Sequence, residues 1–417
     1  MTTQNRWLIA AAGVLMQVAF GAVYAWSVFR IPLSHAHGWT IAEVTAAFEI
    51  AIFVVGLAAF AGGLWMKRSG PRPVALAGAV LYGLGTMLTG SAHSLTALYL
   101  TYGVIGGIGL GLGYIVPIAA LVKWFPDKRG MITGLAVAGF GAGALVTAPV
   151  ANSLIASVGV GGTFEILGLA YLVVVFACAL LMRNPPEGYA PAGFRASAGQ
   201  PGGSARDFTL RQALGTWQWY ALWLTLFLNT TAGIAIISQA SPMAQEISGV
   251  SAAAAAGMVG VISIANGSGR LLWAWFSDAV GRRTVFLMMF LLQSAAFLLL
   301  SQVHRFGLLS LLAFLILLCY GGGFGTMPAF ATDYFGAAQI GSIYGLMLTA
   351  WGCAAVFGPS LVAGIRQATG HYQGAMRWLA LATLVSAIVP LLVRPPHEQQ
   401  SRDFGVQGVG AAPPVRS

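Results

Sequence analysis

The chain is a succession of apolar runs, each about as long as the ~20 residues a helix needs to cross the hydrocarbon of a bilayer. Twelve can be read, at 7–29, 42–66, 74–93, 96–122, 131–156, 164–182, 217–239, 252–276, 284–303, 307–331, 342–365 and 375–393. Only 8% of the 417 residues are charged and 58% are hydrophobic. A soluble domain carries roughly 25% charged residues, so this chain has too little polar surface to coat a water-facing globule. In lipid, backbone amides must be satisfied internally, and for runs of this length a helix does so. The expectation is an all-α polytopic membrane protein of twelve transmembrane helices. The 55 glycines suit helices that pack backbone to backbone. A single Arg6 precedes the first run, and no small-x-small cleavage site follows it, so that run reads as a retained helix rather than a signal peptide.

Charge gives the orientation. Of the 21 lysines and arginines, sixteen fall in segments on one side and four (Arg30, Arg305, Arg366, Arg377) on the other. The positive-inside rule then puts both termini in the cytoplasm, and a plasma (inner) membrane is expected. The net charge of +10 follows from that topology and from anionic lipid, with no nucleic-acid partner required. Cys178, Cys319 and Cys353 lie in apolar runs and read as small core residues. His35 and His37 read as solvated in the first outer loop. No Cys/His cluster has metal-ligand spacing and no nucleophile–base pairing stands out, so no metal, cofactor or enzyme activity is expected. The stretch "GGIGLGLG" (106–113) lies inside an apolar run without a flanking strand pattern and reads as helix packing, not a nucleotide loop.

One long polar stretch interrupts the runs. "NPPEGYAPAGFRASAGQPGGSARDF" is rich in Pro, Gly and Ser and reads as a flexible linker. The expected organisation is a six-helix bundle at 1–182, a cytoplasmic linker at 183–216, a second six-helix bundle at 217–394 and a tail at 395–417. The two halves match at a constant offset of 211 residues: Gly70 and Arg72 with Gly281 and Arg283, Pro117 with Pro328, and Gly130, Gly134, Leu135 and Gly141 with Gly341, Gly345, Leu346 and Gly352. Single matches are cheap in a glycine-rich chain, but one offset kept across three regions is not.

A parallel duplication of six helices resembles the major facilitator superfamily, whose substrates sit near the midplane between the halves. That family's loop motif, G-x-x-x-D-R/K-x-G-R/K-R/K, is kept in "SDAVGRR" as Asp278, Gly281, Arg282 and Arg283, which the resemblance makes a gating motif. The first copy, "GGLWMKRSGPR", has Lys67 where the carboxylate belongs. More narrowly, "KWFPDKRG" (123–130), "NGSGR" (266–270) and "CYGGGFGTMP" (319–328) resemble the oxalate:formate antiporter and bacterial monocarboxylate transporter group.

Arg270 is the centre of the functional reading. It stands roughly 12 Å inside its helix end, near mid-membrane, where a cation costs at least a few kcal/mol. Asn266 lies one turn earlier on the same face, and Gly267 and Gly269 allow close approach. A guanidinium presents paired donors that match a carboxylate. The competing reading is a structural arginine paired with an acid of another helix, and within the runs the acids are Glu49 and, near the outer surface, Glu165.

The resemblance implies that aromatic residues enclose the substrate, at Tyr24, Tyr114, Phe140, Tyr320, Phe324 and Trp351. In the antiporter that exchanges oxalate, a lysine occupies the place of Trp351; without it, one cation suits a small monocarboxylate rather than a dianion. Proton-coupled animal relatives carry an aspartate where this chain has Asn266, which cannot titrate, so Glu49 is the candidate proton site. The function expected is a proton-coupled transporter of a lactate- or pyruvate-like anion, working as a monomer. An oxalate:formate-type exchanger and a transporter-fold sensor stay open beside it.

Overall fold

A computed structural model describes residues 5–191 and 207–396. The central stretch of the expected linker, 192–206, and the tail from 397 onward lie outside the described residues. Among the described residues every regular element is helical. Nine stretches are long and apolar enough to cross a membrane, and one of them, Gly130–Ala179, is 50 residues long.

In chain order the helices are α1 (Arg6–Phe20), α2 (Trp26–His37), α3 (Ile41–Ser69), α4 (Pro71–Thr89), α5 (Leu95–Leu98), α6 (Gly107–Trp124) and α7 (Arg129–Ala179) before the linker. After it come α8 (Leu210–Leu214), α9 (Trp217–Ser248), α10 (Ala252–Val280), α11 (Arg282–Leu300), α12 (Phe306–Phe335), α13 (Ile340–Met347), α14 (Thr349–Thr369), α15 (Gln373–Ser386) and α16 (Ile388–Leu392). The apolar windows locate these helices but miss their breaks. The first window is split by a 3-10 turn at Gly21–Ala25, and α2 runs on to His37, so His35 and His37 end a helix rather than occupy a loop. A π-helical stretch, Tyr99–Gly106, joins α5 to α6. The expected loop between the fifth and sixth windows shrinks to the one non-helical residue Gly159. Asp278 belongs to the last turn of α10, not to a loop. Cys353 is exposed, unlike buried Cys178 and Cys319, which suits a small apolar residue on a lipid-facing surface.

The 211-residue repeat reappears in the backbone. Gly38 (φ 71°) matches Gly249 (φ 63°), Gly70 (φ 77°) matches Gly281 (φ 90°), and Gly159 (φ 76°) matches Gly370 (φ 79°). Gly70 and Gly281 each form the one-residue joint between two long helices, where a side chain at positive φ would be strained. One side-chain N-cap repeats as well. Thr40 accepts from the Glu43 amide, and Ser251, 211 residues on, accepts from the Ala254 amide.

Two seams join the chain before the linker to the chain after it: α7 against α10 and α12, and α3 against α13 and α14. Repeat-matched glycines line both. A Cβ on Gly134 would stand 2.6 Å from Ala274 Cβ, and one on its mate Gly345 would stand 2.7 Å from the Ala59 carbonyl. Small residues let these backbones touch. Both seams run toward the face that carries Lys67, Lys123 and Arg282, called the basic face below.

Candidate functional site

Arg270 is 1% exposed. Its Nε donates to Asn266 Oδ1 at 3.3 Å and its Nη1 to the Val137 carbonyl of α7 at 3.3 Å. Phe140 and Phe324 stack against the guanidinium, with ring centroids 5.2 and 5.0 Å from Cζ. Among the described residues no carboxylate pairs with it, and Nη2 has no hydrogen-bond partner. This is a cation held by one amide, one backbone carbonyl and two ring faces. It has donors to spare and no counter-charge.

Around it the structure gathers every aromatic residue expected at the site. Trp351 is the hub: its ring lies 5.1 Å from Phe324, 6.1 Å from Phe140, 6.3 Å from Tyr114 and 6.4 Å from Tyr24. Tyr320 packs on Phe324 at 5.3 Å, and its hydroxyl meets that of Tyr24 at 3.4 Å across the two parts of the chain. Local backbone irregularity places several of these side chains. Tyr24 sits on the 3-10 turn of the first span, and Trp351 follows the break at Leu348 between α13 and α14.

The cluster is rich in unpaired polar atoms. Tyr114 Oη, Tyr344 Oη and Trp351 Nε1 are buried without a hydrogen-bond partner, as Arg270 Nη2 is. Each such group costs about 1–3 kcal/mol when left dry, so four in one place mark a site shaped for something polar. The hydroxyls of Tyr24, Tyr114 and Tyr344 stand within electrostatic reach of the guanidinium. Tyr344 was not picked out from the sequence. The available signal was its spacing of seven residues from Trp351, two helical turns on one face. Val137 gives only its carbonyl, which no sequence pattern announces.

A cavity of about 170 Å³ approaches this cluster from the face opposite the basic one. That volume holds several waters or one small organic anion. Its walls include Arg30 of α2, Phe48 and Glu49 near the start of α3 and Ile262 in the first half of α10, and it reaches Tyr24 and Asn266. Arg270 is not in its lining. Glu49 is exposed and stands in the vestibule, apart from the Arg270 cluster.

The opposite end is bolted shut. Asp278 accepts from the backbone amides of Gly130 (3.0 Å) and Met131 (2.8 Å), at the N-terminus of α7, where a carboxylate complements the helix dipole. Arg282 pairs with Asp278 at 2.6 Å and Asp333 at 3.0 Å, while Arg283 donates to the Pro390 carbonyl at 3.0 Å. Gly281 is the joint that turns the chain between Asp278 and the two arginines. At the matching seam Lys67 is exposed and, among the described residues, holds no carboxylate partner. There Asp207, from the end of the linker, accepts from the Ala338 amide at 3.0 Å, just before α13, and Lys123 donates to the Ala338 carbonyl at 3.3 Å. The described residues contain no cluster of three or more His, Cys, Asp or Glu that could hold a metal ion.

Comparison with known proteins places this geometry. The chain is 29% identical over 359 residues to the uncharacterized MFS-type transporter YhjX of Escherichia coli, covering 85% of this chain and 86% of that one. It is 27% identical to the oxalate:formate antiporter of Oxalobacter formigenes, over 94% of this chain and 93% of the relative. It is also 27% identical to apicoplast pyruvate carrier 1 of Toxoplasma gondii, over 82% and 73%. A crystal structure of the E. coli fucose:proton symporter FucP superposes with a TM-score of 0.69 at 17% identity, over 92% of this chain and 97% of that one, a likeness of fold alone. The family model for the Major Facilitator Superfamily matches residues 9–272 and 222–415. An all-helical, multi-pass chain matched by that model almost throughout is a transporter rather than an enzyme, and it belongs to the Major Facilitator Superfamily.

Proposed function

We propose that the protein is a secondary transporter of a small monocarboxylate of the lactate or pyruvate class, driven by a proton gradient and working by alternating access as a monomer. The observation that carries the reading is Arg270, buried and without a counter-charge, with its Nη2 unpaired amid aromatic rings. A carboxylate there would satisfy the free donors and offset the cost of the buried cation. Trp351 occupies the place where a second cation would be needed to hold a dianion, and a second carboxylate in this dry cluster would be desolvated without a counter-charge. Relatives named for oxalate, formate and pyruvate fit a small carboxylate.

In this reading the basic face is cytoplasmic, both termini lie inside, and the membrane is the plasma (inner) membrane. The cavity then admits substrate from outside while Asp278 and Asp207 hold the inner end closed. Glu49, in the vestibule wall, takes up the coupled proton. A second reading, anion exchange, draws on the antiporter that aligns over 94% of this chain. Uptake of radiolabelled lactate into proteoliposomes, with and without a pH gradient and with and without internal anion, separates the two. Accumulation that follows the pH gradient into anion-free vesicles supports the proposal. Uptake only against internal anion supports exchange, and no uptake of any small carboxylate refutes both.

A further inference from the structure

We infer that the joint between α3 and α4 is a headgroup site for an anionic phospholipid, with Lys67, Arg68 and Arg72 receiving the phosphate. The inference stands on the fold and does not depend on which substrate is carried.

The repeat shows what this joint has lost. In the second copy Arg282 is neutralised by Asp278 at 2.6 Å and Asp333 at 3.0 Å, and Arg283 donates to the Pro390 carbonyl. The residues 211 earlier are Lys67 for Asp278, Pro71 for Arg282, Arg72 for Arg283 and Val122 for Asp333. Both acids are gone and a cation stands in the place of one. Arg68 adds a further charge in the last turn of α3. All three cations are exposed, and among the described residues none pairs with a carboxylate. Other acids of the basic face are engaged elsewhere, Asp127 with Arg6 at 2.9 Å and Asp207 with the Ala338 amide. The N-terminus of α4 adds the positive end of its dipole and has no acid in its first turn. Like charges crowded there repel one another, and an anion among them replaces repulsion with attraction.

Cations facing only water would be solvated, but the surface beside these faces lipid. Phe53, Leu57, Leu64 and Trp65 of α3 are 45%, 50%, 40% and 41% exposed. At 3.6 residues per turn they share with Arg68 an arc of roughly 120°. The apolar stripe therefore runs along α3 straight into the cations, with Trp65 where aromatic rings mark the headgroup level. In a bilayer some lipid must lie along this stripe, and its headgroup is delivered to Lys67, Arg68 and Arg72. A zwitterionic headgroup brings an ammonium that the cluster repels. A phosphatidylglycerol headgroup brings net negative charge alone. The site adjoins the α3–α13 seam, where Gly63 packs against the Gly341 carbonyl.

The full chain in neutral detergent is titrated with short-chain phosphatidylglycerol, short-chain phosphatidylcholine or inorganic phosphate, read by thermal unfolding and by lipid retained in native mass spectrometry. Phosphatidylglycerol should raise the unfolding midpoint and bind at lower concentration than phosphatidylcholine, by a margin that shrinks as salt is added. Replacing each cation by glutamine should weaken apparent phosphatidylglycerol affinity about fivefold, and replacing all three on the order of a hundredfold. Lys67→Asp, which restores the carboxylate of the second copy, should weaken it at least as much as Lys67→Gln, and it carries the test if the triple variant does not fold. Arg394→Gln removes an exposed arginine beyond α16 and, as the control, should change nothing. Equal affinity for the two lipids, unchanged binding in the folded triple variant, or an effect of Arg394→Gln as large as that of Arg68→Gln overturns the inference. A midpoint shift from inorganic phosphate as large as that from phosphatidylglycerol overturns lipid as the occupant.

Discussion

Replacing Arg270 by lysine keeps the positive charge and removes the shape. The arginine makes two hydrogen bonds at 3.3 Å, to Asn266 and Val137, and lies against two rings at 5.0 and 5.2 Å. A single ammonium cannot reach an amide on its own helix, a carbonyl on α7 and an in-plane carboxylate together. One charge-assisted hydrogen bond to substrate is worth about 1.5–3 kcal/mol, which at 1.4 kcal/mol per decade means roughly 10- to 150-fold weaker binding. Loss of the flat face between Phe140 and Phe324 removes about 0.5–2 kcal/mol more from the local packing. The variant should therefore fold, unfold a few degrees earlier, and show at least a tenfold rise in the half-saturating lactate concentration for uptake. Arg270→Ala should abolish uptake outright. The assay is concentration-dependent uptake in proteoliposomes beside thermal unfolding with and without lactate. A lysine variant within twofold of the wild type would show that the fork geometry does not matter, and uptake by the alanine variant would remove the site.

Four further outcomes follow from the same geometry. Asp278→Asn removes a charge that receives two backbone amides of α7; uptake should fall several-fold while a cysteine placed at Ala274 becomes more reactive from the basic face, and unchanged labelling would refute the latch. Asp207→Ala should do the same at the other seam, read by a cysteine at Ala59, with little change at Ala274. Glu49→Gln should weaken accumulation driven by a pH gradient more than exchange at equal pH, and equal effects would return Glu49 to an interfacial role. Trp351→Lys should admit oxalate at the expense of lactate, because a second cation near Arg270 favours a dianion; Trp351→Met is the control, and identical selectivity in the two variants would show that charge at this position does not set the substrate class.

The fold was legible because the membrane imposes it: run length and an unchanging offset depend on composition and spacing alone. What stayed hidden depends on backbone departures from ideal helix. Nothing in "FGAVYAWS" announces that the helix tightens at Gly21–Ala25 and so sets Tyr24 at the end of the vestibule. The substitution at Lys67 was visible, but its counterpart was not. Asp207 reads as one residue of a polar linker until the fold brings it to Ala338. At the site, Arg270, Asn266 and the aromatic residues that the resemblance implied lie together and Glu49 stands apart, while Tyr344 and the Val137 carbonyl had to be found by proximity.

The repeat itself explains that division. Several positions that shape the backbone recur at 211: three pairs of positive-φ glycines, the Thr40 and Ser251 caps, and Pro117 with Pro328. Positions that carry chemistry do not. The repeat mates of Arg270, Asn266, Tyr114 and Tyr320 are Ala59, Val55, Gly325 and Gly109, and among the aromatic residues of the site only Phe140 and Trp351 answer each other with rings. The small monocarboxylate proposed as substrate has one charged end, so two symmetric cations would leave one unpaired in a dry interior at a cost of several kcal/mol. Symmetry suits the seams, which must open and close alike on two sides. The site between them must break it, and its single arginine breaks it in favour of α10.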